Sequence, residues 1–89
     1  MQRNLLPIGS IVQIKGGTTP IMIIGYGPTV KETNTILHYL GTNYPYGISS
    51  ALHMIAFNIE DVENVVHKGF EDNTTSEWCE KVSTYLFNN

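Results

Sequence analysis

Leu6-Pro7-Ile8-Gly9-Ser10-Ile11-Val12-Gln13-Ile14-Lys15-Gly16-Gly17, followed at once by Ile21-Met22-Ile23-Ile24-Gly25, decides the fold. Two β-prone runs flank a Gly-Gly turn, so the segment reads as a β-hairpin. Pro7 has no N–H to give a ladder and marks the start of a strand rather than its interior. Val12 and Ile14 share one face and Gln13 and Lys15 the other. Ile21–Ile24 is apolar throughout, the pattern of a central strand covered on both faces. Gly25 and Gly27, around Tyr26, predict a bend or bulge where that strand curls.

Outward from the hairpin, Pro28–Asn34 reads as the longest surface loop and Thr35–Gly41 as a third strand. Asn43-Tyr44-Pro45-Tyr46-Gly47 has turn chemistry, with proline pre-set for an early position and glycine closing. Leu52–Phe57 is a fourth strand. Asn58 is placed to cap one helical turn, Ile59–Val62, whose first-turn acids favour its positive end. Glu63–Phe70 reads as a fifth strand. The period then changes: Thr74 with Glu77 resembles a capping box, and Trp78, Val82, Tyr85 and Leu86 follow at helical spacing, with Cys79 beside that stripe.

The reading is one mainly β (α+β) domain over residues 1–89, strand-rich from 6 to 70, with a C-terminal amphipathic helix in 75–87, its apolar stripe read from Ser76 to Phe87. Five strands with a helical turn before the last fit a small, strongly bent antiparallel sheet or an SH3-like barrel. Gly25, Gly27 and Gly41 permit the curvature.

A chain of 89 residues with 42% apolar and 15% charged residues is too hydrophobic for disorder but buries only a thin core. A deep cleft within one copy is not expected, and a second copy is one way to complete the buried surface. Net charge is −3, with Glu60, Asp61, Glu63, Glu71, Asp72, Glu77 and Glu80 against Lys68 and Lys81 from Asn58 onward. Such a balance disfavours nucleic acid, whose phosphates need clustered Lys and Arg. The lone Cys79 forms no internal disulfide, and no run approaches the roughly 18 apolar residues that span a bilayer. A cytoplasmic protein with no membrane partner is expected.

The ordered set Leu6-Pro7-Ile8-Gly9-Ser10-Ile11-Val12, Lys15-Gly16-Gly17, Met22-Ile23-Ile24-Gly25, Tyr44-Pro45-Tyr46-Gly47 and Phe57-Asn58-Ile59-Glu60-Asp61-Val62, continued by Val65-Val66 and Lys68-Gly69-Phe70, carries a resemblance over about residues 5–72. It is similar to a family of small bacterial proteins carrying domain of unknown function 4176. The resemblance implies a setting beside type VII secretion genes and the LXG-type toxins which that system exports. It brings no catalytic residues. Tyr46 departs from the pattern, since the family often has an acidic residue there.

Candidate chemistry is thin. His38, His53, His67 and Cys79 are spaced unlike any zinc pattern. A Cys–His or Ser–His nucleophile would draw on Cys79, Ser49 or Ser50. No nucleophile elbow surrounds the serines, and Cys79 lies in a helix beside acidic Glu80. The glycines sit in β context rather than opening a helix, so turn geometry outweighs phosphate binding. Glu60, Asp61 and Glu63 lack calcium-loop spacing. No catalytic group, metal or cofactor is therefore assigned. The candidate partner-binding residues are Tyr44, Pro45 and Tyr46, with Tyr39 further back, the acids Glu60 and Asp61, and Trp78.

These features predict a non-enzymatic protein-interaction module. With the resemblance, the leading expectation is an adaptor or chaperone for a secretion substrate or toxin. An immunity protein against a cognate toxin is the alternative, and a small nucleic-acid-binding barrel a more distant one.

Overall fold

A computed structural model describes residues 4–50 and 53–87. In chain order its elements are β1 (Ile11–Ile14), β2 (Ile21–Tyr26), β3 (Thr29–Val30), β4 (Thr35–Ile36), β5 (Tyr39–Asn43), β6 (Met54–Phe57), a 3-10 turn (Ile59–Asp61), β7 (Val62–His67) and α1 (Asn73–Phe87). Five strands form one antiparallel sheet in the order β6-β5-β2-β1-β7, and β3 and β4 form a small second sheet. The two edge strands are consecutive in sequence and joined only by the 3-10 turn, so the sheet must curl strongly on itself. This is the bent, barrel-like arrangement that the sequence implies.

The opening hairpin forms with Ile11 opposite Met22 and Val12 opposite Ile21. The Gly17 N–H donates to the Ile14 carbonyl at 3.0 Å, with Gly16 at φ +77° as the third residue of the turn. Thr18, Thr19 and Pro20 then lengthen the connection to β2. β2 is the middle strand of five, but its burial alternates. Ile21 and Ile23 are buried while Met22 and Ile24 are half-covered, so only one face is sealed.

Between Ile23 and Gly25 the β2–β5 ladder slips by one residue, leaving Ile24 as the extra residue of a bulge. The slip reverses the side-chain alternation, so Tyr26 falls opposite Tyr39 on the same face as Ile23. Val12, Ile21, Ile23, Tyr39 and Phe57 build the core there, with Leu5 and Cys79. Tyr39 is 1% exposed, so it belongs to this core and not to the aromatic turn.

Two hydroxyls thread the N-terminal segment into this core. The Leu6 N–H donates to Tyr39 Oη at 2.9 Å, and Tyr26 Oη donates to the Leu6 carbonyl at 2.6 Å. Buried Ser10 makes a second tie: its Oγ donates to the Pro7 carbonyl at 2.7 Å and accepts the Gly69 N–H at 2.9 Å. That approach ends the last strand early. The expected strand Glu63–Phe70 is β7, Val62–His67, because the chain then presses Gly69 against the Ile8–Ser10 backbone. β7 carries two register shifts against β1, which leave Glu63 and Val66 as the unopposed residues.

Other boundaries also move. The Pro28–Asn34 loop contains β3, and the expected strand Thr35–Gly41 divides into β4 and β5. The break falls at His38, whose N–H is taken by Asn58 Oδ1 at 3.1 Å, while its carbonyl accepts the Gly27 N–H. The Ile59–Val62 turn is a 3-10 turn ending at Asp61, and the fourth strand is Met54–Phe57, Leu52 lying outside the described residues. Residues Tyr44 and Pro45 are joined by a cis peptide, and the turn closes through the Gly47 N–H on the Asn43 carbonyl.

The helix starts earlier than the Thr74–Glu77 pattern predicts. Asp72 caps it, Oδ1 accepting the Thr75 N–H at 3.0 Å and the Thr75 hydroxyl at 3.1 Å. These bonds favour the ionised carboxyl and hold Asp72 below the usual carboxylate range. A lowered folded-state value stabilises above the ordinary carboxylate range and is lost as pH falls through it. Asp72→Ala should therefore lower the thermal midpoint at neutral pH, and the difference from the parent should shrink on acidification, read by circular dichroism melts.

Candidate protein-binding surface

The face that α1 turns to the barrel is not the one its aromatic residues mark. Cys79 and Ser83 are the buried positions, with Val82, Leu86 and Phe87 packed beside them. From this face Cys79 Sγ sits 3.3 Å from Tyr26 Oη on β2. Trp78 and Tyr85, which share the apolar stripe with Val82 and Leu86, are 56% and 69% exposed.

Rotated outward, these two rings form one wall of a groove of about 470 Å3. Ile8 and the Gly25–Gly27 end of β2 close the other side, and Lys81 projects from the wall between the rings. Ile8 is half exposed because Gly9, at φ +94°, turns the chain just after it. Of these residues the sequence marks Trp78 as a binding candidate, but not Ile8, Lys81 or Tyr85. The signal was the seven-residue spacing of Trp78 and Tyr85, which also suits a core stripe.

The remaining candidates scatter. Tyr44, Pro45 and Tyr46 form an exposed turn, Tyr46 at 81%, tied to the start of β2 by the Tyr44 N–H on the Pro20 carbonyl. The groove lies at the opposite end of that strand, so Trp78 and the tyrosine turn are not one site. Asp61 is occupied locally, its Oδ2 accepting the Asn58 N–H at 2.9 Å. Glu60 Oε1 lies 3.8 Å from His38 Nδ1. That nitrogen accepts the Ile59 N–H at 3.0 Å, so it carries no proton there and the contact is not an ion pair. The His38 ring meets Phe87 edge-on at 4.7 Å, which anchors the end of α1.

Catalytic arrangements remain rudimentary. Ser49 Oγ is 3.0 Å from His53 Nδ1, but the same nitrogen also takes the Ser49 N–H at 3.2 Å. Both residues are exposed, which fits a local turn better than an activated nucleophile. Among the described residues no three His, Cys, Asp or Glu side chains converge as metal ligands. No helix among them is long and apolar enough to cross a membrane.

A family model described as a domain of unknown function, DUF4176, matches residues 5–77. The chain belongs to the DUF4176 family. No curated protein and no solved structure matches it. The matched stretch of this DUF4176 protein runs from Leu5, under the helix, into the second turn of α1. It includes Ile8, Gly25 and Gly27 on one side of the groove and stops just short of Trp78, Lys81 and Tyr85 on the other.

Proposed function

We propose that this DUF4176 protein is a non-enzymatic interaction module, a cytoplasmic adaptor or chaperone for a type VII secretion substrate or toxin. The observation that carries the reading is the exposed aromatic groove between α1 and β2. Isolated apolar side chains are ordinary on a surface, but a concave cluster with a Trp and a Tyr has the composition of interface hot spots. The family resemblance supplies the secretion setting.

Groove binding suits the protein better than strand addition. β7 is the longer free edge, and its two register shifts interrupt the ladder that an added strand would extend. Separately expressed toxin fragments test the reading. The adaptor should bind the N-terminal targeting part, and Trp78→Ala should weaken binding by about tenfold or more. Binding that follows the C-terminal toxic part, with rescue of poisoned cells, would replace it by an immunity role. A pull-down from native cells that recovers neither toxin nor secretion component would overturn both.

A further inference from the structure

The two edges of the main sheet are guarded very differently. β7 carries Glu63 and two register shifts, features that discourage further pairing. β6 has neither. Met54–Phe57 holds no charged residue and no proline, and its ladder to β5 runs from the Tyr39–Phe57 pair to the Thr42–Met54 pair without a shift. Met54 is 41% exposed there. A regular, uncharged, apolar edge of this kind is a template for another strand.

The hydrogen-bond phase determines which groups that template offers. Along an antiparallel strand, successive residues turn their N–H and C=O to opposite sides. The Gly27 N–H donates to the His38 carbonyl and the Tyr44 N–H to the Pro20 carbonyl, so the even-numbered residues of β5 point toward β2. Tyr39 and Gly41 therefore point toward β6, where they face Phe57 and Ile55. That leaves the N–H and C=O of Met54 and Ala56 directed away from the sheet. β5 is the strand paired with β6, and no turn, loop or cap hydrogen bond among the described residues takes these four groups. Asn58, next in phase, is satisfied locally: its N–H donates to Asp61 Oδ2 and its carbonyl accepts the Asp61 N–H.

One two-fold register uses all four groups. Antiparallel pairing of β6 with its own copy about Ile55 sets Met54 opposite Ala56 of the second copy, and the reverse. Both are pairs of the hydrogen-bonded kind, so every outward N–H and C=O of the edge finds a partner. Moving the centre to Ala56 would set Met54 against Asn58, whose groups are already used. The Ile55 centre also suits the side chains. Ile55, which packs against the core, meets its own copy on that face, and on the other the large Met54 lies beside the small Ala56. No like charges meet, because Met54–Phe57 has none, and the edge offers no charge by which to select a foreign strand. We propose that this DUF4176 protein pairs with a second copy of itself through β6, joining the two main sheets into one. The pairing goes beyond the interaction-module reading and does not use the groove between α1 and β2.

Sedimentation of the full chain from micromolar to millimolar concentration tests this, with amide hydrogen exchange as the residue-level readout. The chain should pass from monomer to dimer, and the Met54 and Ala56 amides should exchange more slowly as the dimer forms. Ala56→Pro removes an outward N–H and leaves the bonds of Ile55 and Phe57 to β5 in place, so it should weaken pairing by about tenfold or more without changing the circular dichroism spectrum. Met54→Lys keeps the backbone donors and puts a charge on the edge, so it should weaken pairing too, and it carries the test if the proline variant does not fold. Under oxidation Ile55→Cys should form an intermolecular disulfide and Met54→Cys should not. Only residue 55 meets its own copy, at the Cα separation of about 4.5 Å of a non-hydrogen-bonded pair. A monomer at millimolar concentration, a dimer indifferent to both edge variants, a dimer that Trp78→Ala dissolves, or cross-linking at residue 54 in place of 55 would overturn the proposal. So would a monomer whose Met54 and Ala56 amides slow only when an extended peptide from another protein is added. The adaptor reading fails on a separate result, the toxin fragments not binding.

Discussion

Replacing Gly41 by alanine should be among the most damaging single-atom additions in this protein. A Cβ there would lie 2.5 Å from Ile21 Cγ2, 2.8 Å from the Met22 carbonyl oxygen and 3.2 Å from Phe57 Cε1. The carbonyl belongs to the β2–β5 ladder and cannot retreat without breaking it, while Ile21 and Phe57 are both buried. Overpacking of this kind costs about 3 kcal/mol, near the upper end of the usual range. Against a total stability of roughly 5–10 kcal/mol for a chain this size, the thermal midpoint should fall by about 10–20 °C. Gly25→Ala is the control: its nearest contact would be Leu40 Cβ at 3.8 Å, ordinary van der Waals distance. Denaturant melts of both variants check the argument, and equal losses would show that curvature, not crowding, sets the cost.

Alkaline pH should open the fold through its two buried phenols. Burial, reinforced by the hydrogen bond to Cys79, pushes Tyr26 well above the ordinary tyrosine range. Burial likewise raises Tyr39, opposed by the Leu6 N–H that its oxygen accepts. A phenol whose folded value is raised adds stability that is intact below its unfolded value, about 10, and is lost as pH climbs from there toward the folded value. Stability should therefore fall as pH rises above 10, by up to about 1.4 kcal/mol per pH unit for each phenol that stays protonated in the native state. Urea midpoints at stepped pH give that slope, and phenolate absorbance should show two of the five tyrosines ionising only as the fold opens. Tyr26→Phe should halve the slope; a slope left unchanged would mean that Tyr26 already ionises in the native state.

The β architecture was legible because it is written in local chemistry. The opening hairpin, the bulge around Gly25 and the turn at Asn43–Gly47 each follow from glycine, proline or alternation over a few residues. What stayed hidden depends on distant partners. Nothing near His38 announces that Asn58 will take its N–H and split the expected strand Thr35–Gly41 into β4 and β5. Nor does Gly69 reveal that it will be pressed on Ile8–Ser10. The groove was half legible for the same reason. Trp78 and Tyr85 lie at helical spacing, but helix periodicity cannot tell which stripe faces inward when small Cys79 and Ser83 compete with large aromatics. The close approach to Tyr26 decided it, and that partner is 53 residues away.

The long spans of those ties bear on how the protein folds as well as how it stands. Leu6 waits for Tyr39, 33 residues later, Ser10 for Gly69, 59 residues later, and Tyr26 for Cys79. A nascent chain thus holds the Leu6–Ser10 segment open to solvent until Tyr39 and Gly69 have been made. High contact order of this kind places folding in the millisecond-to-second range, slower than a helical bundle of equal size. The helix follows every strand in chain order and builds the groove wall, so a partner meets a finished Trp78–Tyr85 surface only after the strands beneath it have been made.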